Sequence, residues 1–103
     1  MKVIIEDEYL AVLANNYPNM TGKRKFPVDV EKKFVARITQ LVAANNENDL
    51  RAIKSFHFEK LKGAYKDKYS IRVNQAWRII FRIGEDGYIK ILFIEELSNH
   101  YDD

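Results

Sequence analysis

Between Lys68 and Ile83 the chain reads KYSIRVNQAWRIIFRI, with Arg72, Arg78 and Arg82 set among Tyr69, Ile71, Val73, Trp77, Ile79, Phe81 and Ile83. Side chains alternate faces along a strand, so this stretch predicts a ribbon that is apolar on one side and cationic on the other. Guanidinium forks bind phosphate oxygens in pairs, which makes a row of them suited to a phosphodiester. The surrounding charge points the same way. Residues 51–82 hold nine basic side chains, Lys60, Lys62, Lys66 and Lys68 among them, against Glu59 and Asp67. Residues 83–103 hold Lys90 against six acids. A basic block of that density is the electrostatic footprint of a phosphate-binding surface, although a solvated basic face with no ligand has the same composition.

The pairing of the ribbon can be worked out from its parity. A two-residue turn at Asn74-Gln75 would mix apolar and charged side chains on both faces. A three-residue loop, Asn74-Gln75-Ala76, pairs Val73 with Trp77, Ile71 with Ile79 and Tyr69 with Phe81 on one face. On the other it sets Arg72 opposite Arg78, Ser70 opposite Ile80 and Lys68 opposite Arg82; a five-residue loop keeps that parity. Like charges directly opposite destabilise a sheet by up to about 1 kcal/mol. A local rule broken this way marks a functional site, unless Glu59, Asp67 or the acidic stretch from Glu95 to Asp103 neutralises the row.

The rest of the composition excludes several classes. The 103 residues contain no cysteine, so disulfides, thiolate metal sites and a cysteine nucleophile are ruled out. His57 and His100 are the only histidines, too few for most zinc sites. No apolar run approaches the ~20 residues of a membrane span, and none resembles a signal peptide. The expectation is one cytoplasmic domain, with no membrane and no metal. Asn19-Met20-Thr21 matches a glycosylation sequon by chance.

The elements that must position the arginines follow from periodicity. A short strand is expected at 2–6 and a helix at 7–16, with acids in its first turn. Residues 17–27 read as a loop, whose Lys23-Arg24-Lys25 is either solvated or in contact with nucleic acid. Asp29 is taken as the cap of a long helix with Val30, Phe34, Val35, Ile38, Leu41 and Val42 on its apolar side. Asn48 is taken as the cap of a short helix at 48–55. A second hairpin, Gly84-Glu85-Asp86-Gly87-Tyr88, is expected to carry a three-residue loop pairing Ile83 with Ile89, Phe81 with Ile91 and Ile79 with Phe93. That register places Phe93 with Phe34, Phe81 and Trp77 in the core, and Ile80, Lys90, Leu92 and Ile94 beside the arginines. The last strand, apolar on both faces, belongs inside the sheet. The fold class is α+β, with two to three helices on one face of a twisted antiparallel sheet.

FEKLKGAYKDKYSIRVNQAWRIIFRI (58–83) with IEELSNHY (94–101) resembles the killer toxins of the HigB type, within the RelE/ParE toxin superfamily. The residues that carry the likeness are Leu61-Lys62-Gly63, Tyr69-Ser70-Ile71-Arg72-Val73-Asn74, Trp77-Arg78, Phe81-Arg82 and Asn99-His100-Tyr101. The match covers about the last half of the chain. It implies a RelE-like fold and a toxin of a type II toxin-antitoxin system. Such a toxin enters the ribosomal A site and cuts mRNA without metal or cofactor, by attack of the 2′-hydroxyl on the adjacent phosphate. A helix-turn-helix, HigA-like antitoxin is the implied partner.

The resemblance assigns Arg72 and Arg78, with Lys62 assisting, as cations on the transition-state phosphorane, and His100 to a proton-transfer role. An imidazole with its ordinary pKa of about 6.5 suits either direction of transfer. Lys60, Lys68, Arg82, Asn99 and Tyr101 are the expected RNA contacts, Tyr101 by stacking on a base. Two departures stand out. Ser98 and Asn99 occupy the places where members often have Asp-Tyr, and Glu59 stands where some have a histidine. Glu59 is therefore either a general base or an ion-pair partner of Lys62 or Arg78. His57, between two phenylalanines, reads as a packing or hydrogen-bonded residue, with a catalytic role as the minority reading. Two other functions stay open on this fold: a ParE-like gyrase poison, and a non-catalytic module that binds antitoxin.

Overall fold

A computed structural model describes residues 1–99. In chain order these form β1 (Lys2–Ile5), α1 (Glu8–Asn16), α2 (Val28–Ala43), α3 (Glu47–Ala52), β2 (Glu59–Lys60), β3 (Tyr69–Arg72), β4 (Arg78–Asp86) and β5 (Ile89–Ser98), with 3₁₀ turns at Lys54–Phe56 and Gly63–Tyr65. The strands stand in the order β1-β5-β4-β3-β2. From β2 to β5 the sheet is antiparallel, but β1 joins β5 in parallel, so the sheet is mixed rather than wholly antiparallel as expected. β5 lies inside the sheet, as its two apolar faces predicted. No helix among the described residues is long and apolar enough to cross a membrane.

The helices cover one face. Leu10 and Leu13 of α1 and Val30, Phe34, Ile38 and Leu41 of α2 pack with Ile71, Val73, Ile79, Phe81, Leu92, Ile94 and Leu97 of the sheet. Val42, expected in the apolar stripe, is exposed instead. Asp7 caps α1 by accepting from the Leu10 N–H at 2.9 Å. The cap of α2 is Pro27 rather than Asp29. Its φ of −55° already fits a helix start, and its carbonyl accepts from the Glu31 N–H. Asp29 then lies inside the first turn, where its charge still favours the helix dipole. Asn46 rather than Asn48 caps α3, accepting from the Asp49 N–H at 3.1 Å.

The first hairpin has the deduced register: Tyr69 opposite Phe81, Ser70 opposite Ile80, Ile71 opposite Ile79, Arg72 opposite Arg78. Asn74 closes its loop, its side-chain oxygen accepting from the Ala76 and Trp77 N–H groups at 2.9 and 2.8 Å. The second hairpin does not follow the expected register. Its turn has two residues, Gly87-Tyr88, with Asp86 opposite Ile89, Ile83 opposite Leu92 and Arg82 opposite Phe93. Gly87 takes φ +63°, the left-handed conformation that a glycine-first two-residue turn requires. This reverses the faces of β5. Leu92 and Ile94 enter the core, while Phe93 leaves it for the cationic side. The alternation of β5 is uniformly apolar and could not choose between the two registers.

Candidate active site

The face of the sheet away from the helices is a grid of side chains. Its first row is Arg72, Arg78 and Ser98 on β3, β4 and β5. The second row runs Glu59, Ser70, Ile80, Glu96 across β2 to β5. Farther along β4, Arg82 stands opposite Phe93, which is itself opposite Ile4 of β1. Between the second row and Arg82 the register of β5 slips, because Ile80 pairs with Glu96 while Phe81 pairs with Ile94. The extra residue is Glu95. A bulge of this kind turns two successive side chains to one face, so both Glu95 and Glu96 meet the cations.

Arg78 is the centre of the grid and is only 3% exposed. Its guanidinium leans from the first row toward the second. It donates to the Ser70 hydroxyl at 2.6 Å and to the His57 carbonyl at 3.2 Å, and pairs with Glu59 at 3.1 Å. The like-charge contact with Arg72 is thus relieved by Glu59, the ion-pair alternative raised by the sequence. The Glu59 side chain remains 45% exposed, so the carboxylate faces solvent while a buried cation fixes it. Arg72 is half-buried and makes no ion pair among the described residues. Its Nε is buried with no hydrogen-bond partner among them. Arg37 of α2 pins the strand beneath by donating to the Arg72 carbonyl at 2.9 Å.

At the other end the cations are balanced. Lys68 pairs with Glu95, and Arg82 with Glu6 at 3.0 Å and Glu95 at 3.3 Å. The hydrogen bond that the Lys68 ammonium donates to Glu95 holds it above its ordinary pKa. Tyr65, in the turn after β2, reaches across β4 to donate to Glu96 at 3.3 Å. Burial, followed by the nearby Glu96 charge, pushes its phenol upward in pKa.

Of the residues singled out in the sequence, Arg72, Arg78, Glu59, Lys68 and Arg82 share this face. Lys60 is exposed on β2 but stands opposite Tyr69, on the other side of the sheet from Glu59, while Lys62 is exposed just past β2 and Asn99 just past the end of β5. His100 and Tyr101 lie outside the described residues. His57 is hydrogen-bonded rather than packed, and through its backbone. It is exposed, takes φ 44°, and contributes its carbonyl to Arg78. Leu92 and Ile94, expected beside the arginines, lie in the core, and Ile80 is on the arginine face but fully buried. Ser70 and Tyr65 were not selected by residue type, whereas Glu95, raised as the start of an acidic stretch that could neutralise the row, does neutralise Lys68 and Arg82. Position parity alone could have flagged Ser70, and nothing in the sequence marks the bulge. Among the described residues no three histidine, aspartate or glutamate side chains come together to hold a metal ion. The Lys23-Arg24-Lys25 run is anchored locally. Arg24 pairs at 2.7 Å with Glu31, which is fully buried and also accepts from Tyr9.

This architecture is that of RelE-like toxins. It is similar to a YoeB/ParE toxin from Agrobacterium tumefaciens, with TM-score 0.56 and 16% identity over 98% of this chain and all of that one. It is also similar to YafQ from E. coli BL21(DE3), with TM-score 0.59 and 13% identity over 96% of this chain and 92% of the other. Residues 6–96 match the HigB-like toxins, described as RelE-like toxins of the type II toxin-antitoxin system HigB, and the chain belongs to that family. Toxin HigB-1 of Vibrio cholerae is 39% identical over 66 residues, 64% of this chain and 70% of that protein. An uncharacterized protein of Haemophilus influenzae is 31% identical over 74 residues, 72% of each. Membership in this family makes the chain the toxin of a toxin-antitoxin pair, with an antitoxin as its partner.

Proposed function

We propose that the protein is a ribosome-dependent endoribonuclease that cuts mRNA in the A site. The observation that carries this reading is the Arg72–Arg78 pair, held on adjacent strands with Glu59 fixed beside it. Strand cleavage by the 2′-hydroxyl needs a proton acceptor for that hydroxyl, a donor for the leaving 5′-oxygen, and cations on the phosphorane. Arg72, which makes no ion pair among the described residues, supplies the cation for the phosphate, assisted by Lys62, exposed just past β2. Arg78 is spent on Ser70, the His57 carbonyl and Glu59, so its role is to hold the carboxylate and add its charge from below. We take Glu59 as the base, which leaves to His100, given a proton-transfer role by the family resemblance, the part of acid. Lys60, Asn99 and Tyr101 are the remaining RNA contacts. The antitoxin is of the helix-turn-helix, HigA-like kind.

The test is incubation of the protein with programmed ribosomes and a defined message, with free RNA as control. The expected result is a cut on the ribosome alone, leaving a 2′,3′-cyclic phosphate. Toxicity that survives His100→Ala, with no cut message, would favour the gyrase poison. Absence of growth arrest on induction would leave only the antitoxin-binding module.

A further inference from the structure

We infer that Arg82 is a stacking platform for a nucleobase of the bound RNA and not a phosphate contact. The inference rests on the RNA-cleaving reading above and adds a subsite to it. Three observations converge. The guanidinium carbon of Arg82 lies 3.9 Å from the centroid of the Phe93 ring, at stacking distance. Glu6 holds its NH2 at 3.0 Å and Glu95 holds its Nε at 3.3 Å. The side chain is nonetheless 44% exposed. One face of the plane is covered by Phe93 and two of its three nitrogens are taken by carboxylates. By elimination, the flat face opposite Phe93 and the NH1 nitrogen are what these contacts leave uncovered.

The charges argue the same way. Lys68 and Arg82 stand against Glu6 and Glu95, so this end of the face has no net positive charge to draw a phosphate. Two carboxylates beside the guanidinium would repel one. A neutral base meets no such penalty, and bases stack on arginine planes as they do on aromatic rings. The platform is built rather than incidental. The Phe93 ring lies over Gly84, where a Cβ would stand 2.7 Å from the ring. Only glycine there lets the ring settle on the sheet and carry Arg82. Arg82 is four residues along β4 from Arg78, about 13 Å in an extended strand. The base it receives therefore flanks the cleaved linkage rather than belonging to it.

The experiment measures affinity for programmed ribosomes carrying a message with a 2′-deoxy residue at the cut linkage, which removes the attacking hydroxyl. A single abasic position is walked through the nucleotides around that linkage. For the wild type, one position should weaken binding by about 5- to 100-fold, the weight of one base stack. Arg82→Lys keeps the charge but loses the plane. It should show that loss on the intact message and no further loss at the same abasic position. Phe93→Leu, which removes the support of the plane, should behave alike, with thermal melting confirming that both variants are folded. Wild-type affinity in Arg82→Lys, or equal abasic losses in both proteins at every position, overturns the platform while leaving the nuclease intact. Binding without any cutting of the all-ribose message overturns the nuclease and leaves the platform standing on the abasic scan. Failure to bind programmed ribosomes at all overturns both.

Discussion

Arg72 and Arg78 are the same residue type on facing positions, yet their surroundings divide the work between them. Arg78 is buried, with NH1 and NH2 held by Ser70, the His57 carbonyl and Glu59, while Arg72 makes no ion pair among the described residues. Arg72→Gln should therefore lower message cleavage about 10²- to 10³-fold, the cost of one transition-state contact, with little change in melting temperature. Arg78→Gln should lose activity and also about 1–3 kcal/mol of stability, because the buried Ser70 hydroxyl loses its donor. Thermal denaturation of the two variants, set against cleavage on ribosomes, checks the division. Lys68 makes a separate prediction. Its pKa is raised in the folded state by Glu95, so the pair's stabilisation is fully present below the ordinary lysine value of 10.5. It is lost as pH rises through the folded value. The melting-temperature advantage of wild type over Lys68→Met should hold from pH 8 to about 10 and shrink above that.

At the scale of elements, two turns decide which side chains reach the cationic face. Asn74 closes the first hairpin with two side-chain hydrogen bonds to the backbone. Asn74→Ala should cost about 1–2 kcal/mol and loosen the Arg72–Arg78 register, so activity should fall more than stability alone predicts. Gly87 closes the second hairpin and sets the parity that brings Phe93 under Arg82. Gly84→Ala would drive a methyl into the Phe93 ring and should destabilise by about 1–3 kcal/mol, the range for overpacking. Denaturant titration measures both. The bulge at Glu95 is the third device. By adding one residue to β5 it supplies Glu95 to Lys68 and Arg82 and Glu96 to Tyr65 from consecutive positions.

The molecule as a whole separates stability from chemistry by the two faces of one sheet. The helices bury the apolar face around Phe34, Phe81 and Ile79, each with no exposed surface. The other face is left to charged groups that a core would not tolerate. Phe34→Ala should cost about 3–5 kcal/mol, a large part of what a domain of this size has to lose, and circular-dichroism melts would show it. The site's geometry depends on that support. Arg37 of α2, stacked near Phe56, also donates to the Arg72 carbonyl, so helix packing is transmitted to the strand that carries the cation.

Much of this was legible in the linear order of residues. Period-two alternation fixed the first hairpin, because only one parity keeps Trp77 and Phe81 together and the arginines apart from them. The helical stripe around Phe34 and the arginine face follow from the same kind of periodicity. The register of β5 was not legible, since Ile89, Ile91 and Phe93 are as apolar as Leu92 and Ile94, and a pattern with no contrast selects no face. Nor was the bulge, which depends on how a twisted sheet accommodates one extra residue between two packed rows. Local chemistry thus specified which residues are cationic and which strand presents them. Tertiary packing alone decided which cation is paired with Glu59, which two are balanced by Glu95, and which makes no ion pair among the described residues. Those outcomes depend on contacts between residues far apart in the chain, such as Glu6 with Arg82 and Glu59 with Arg78.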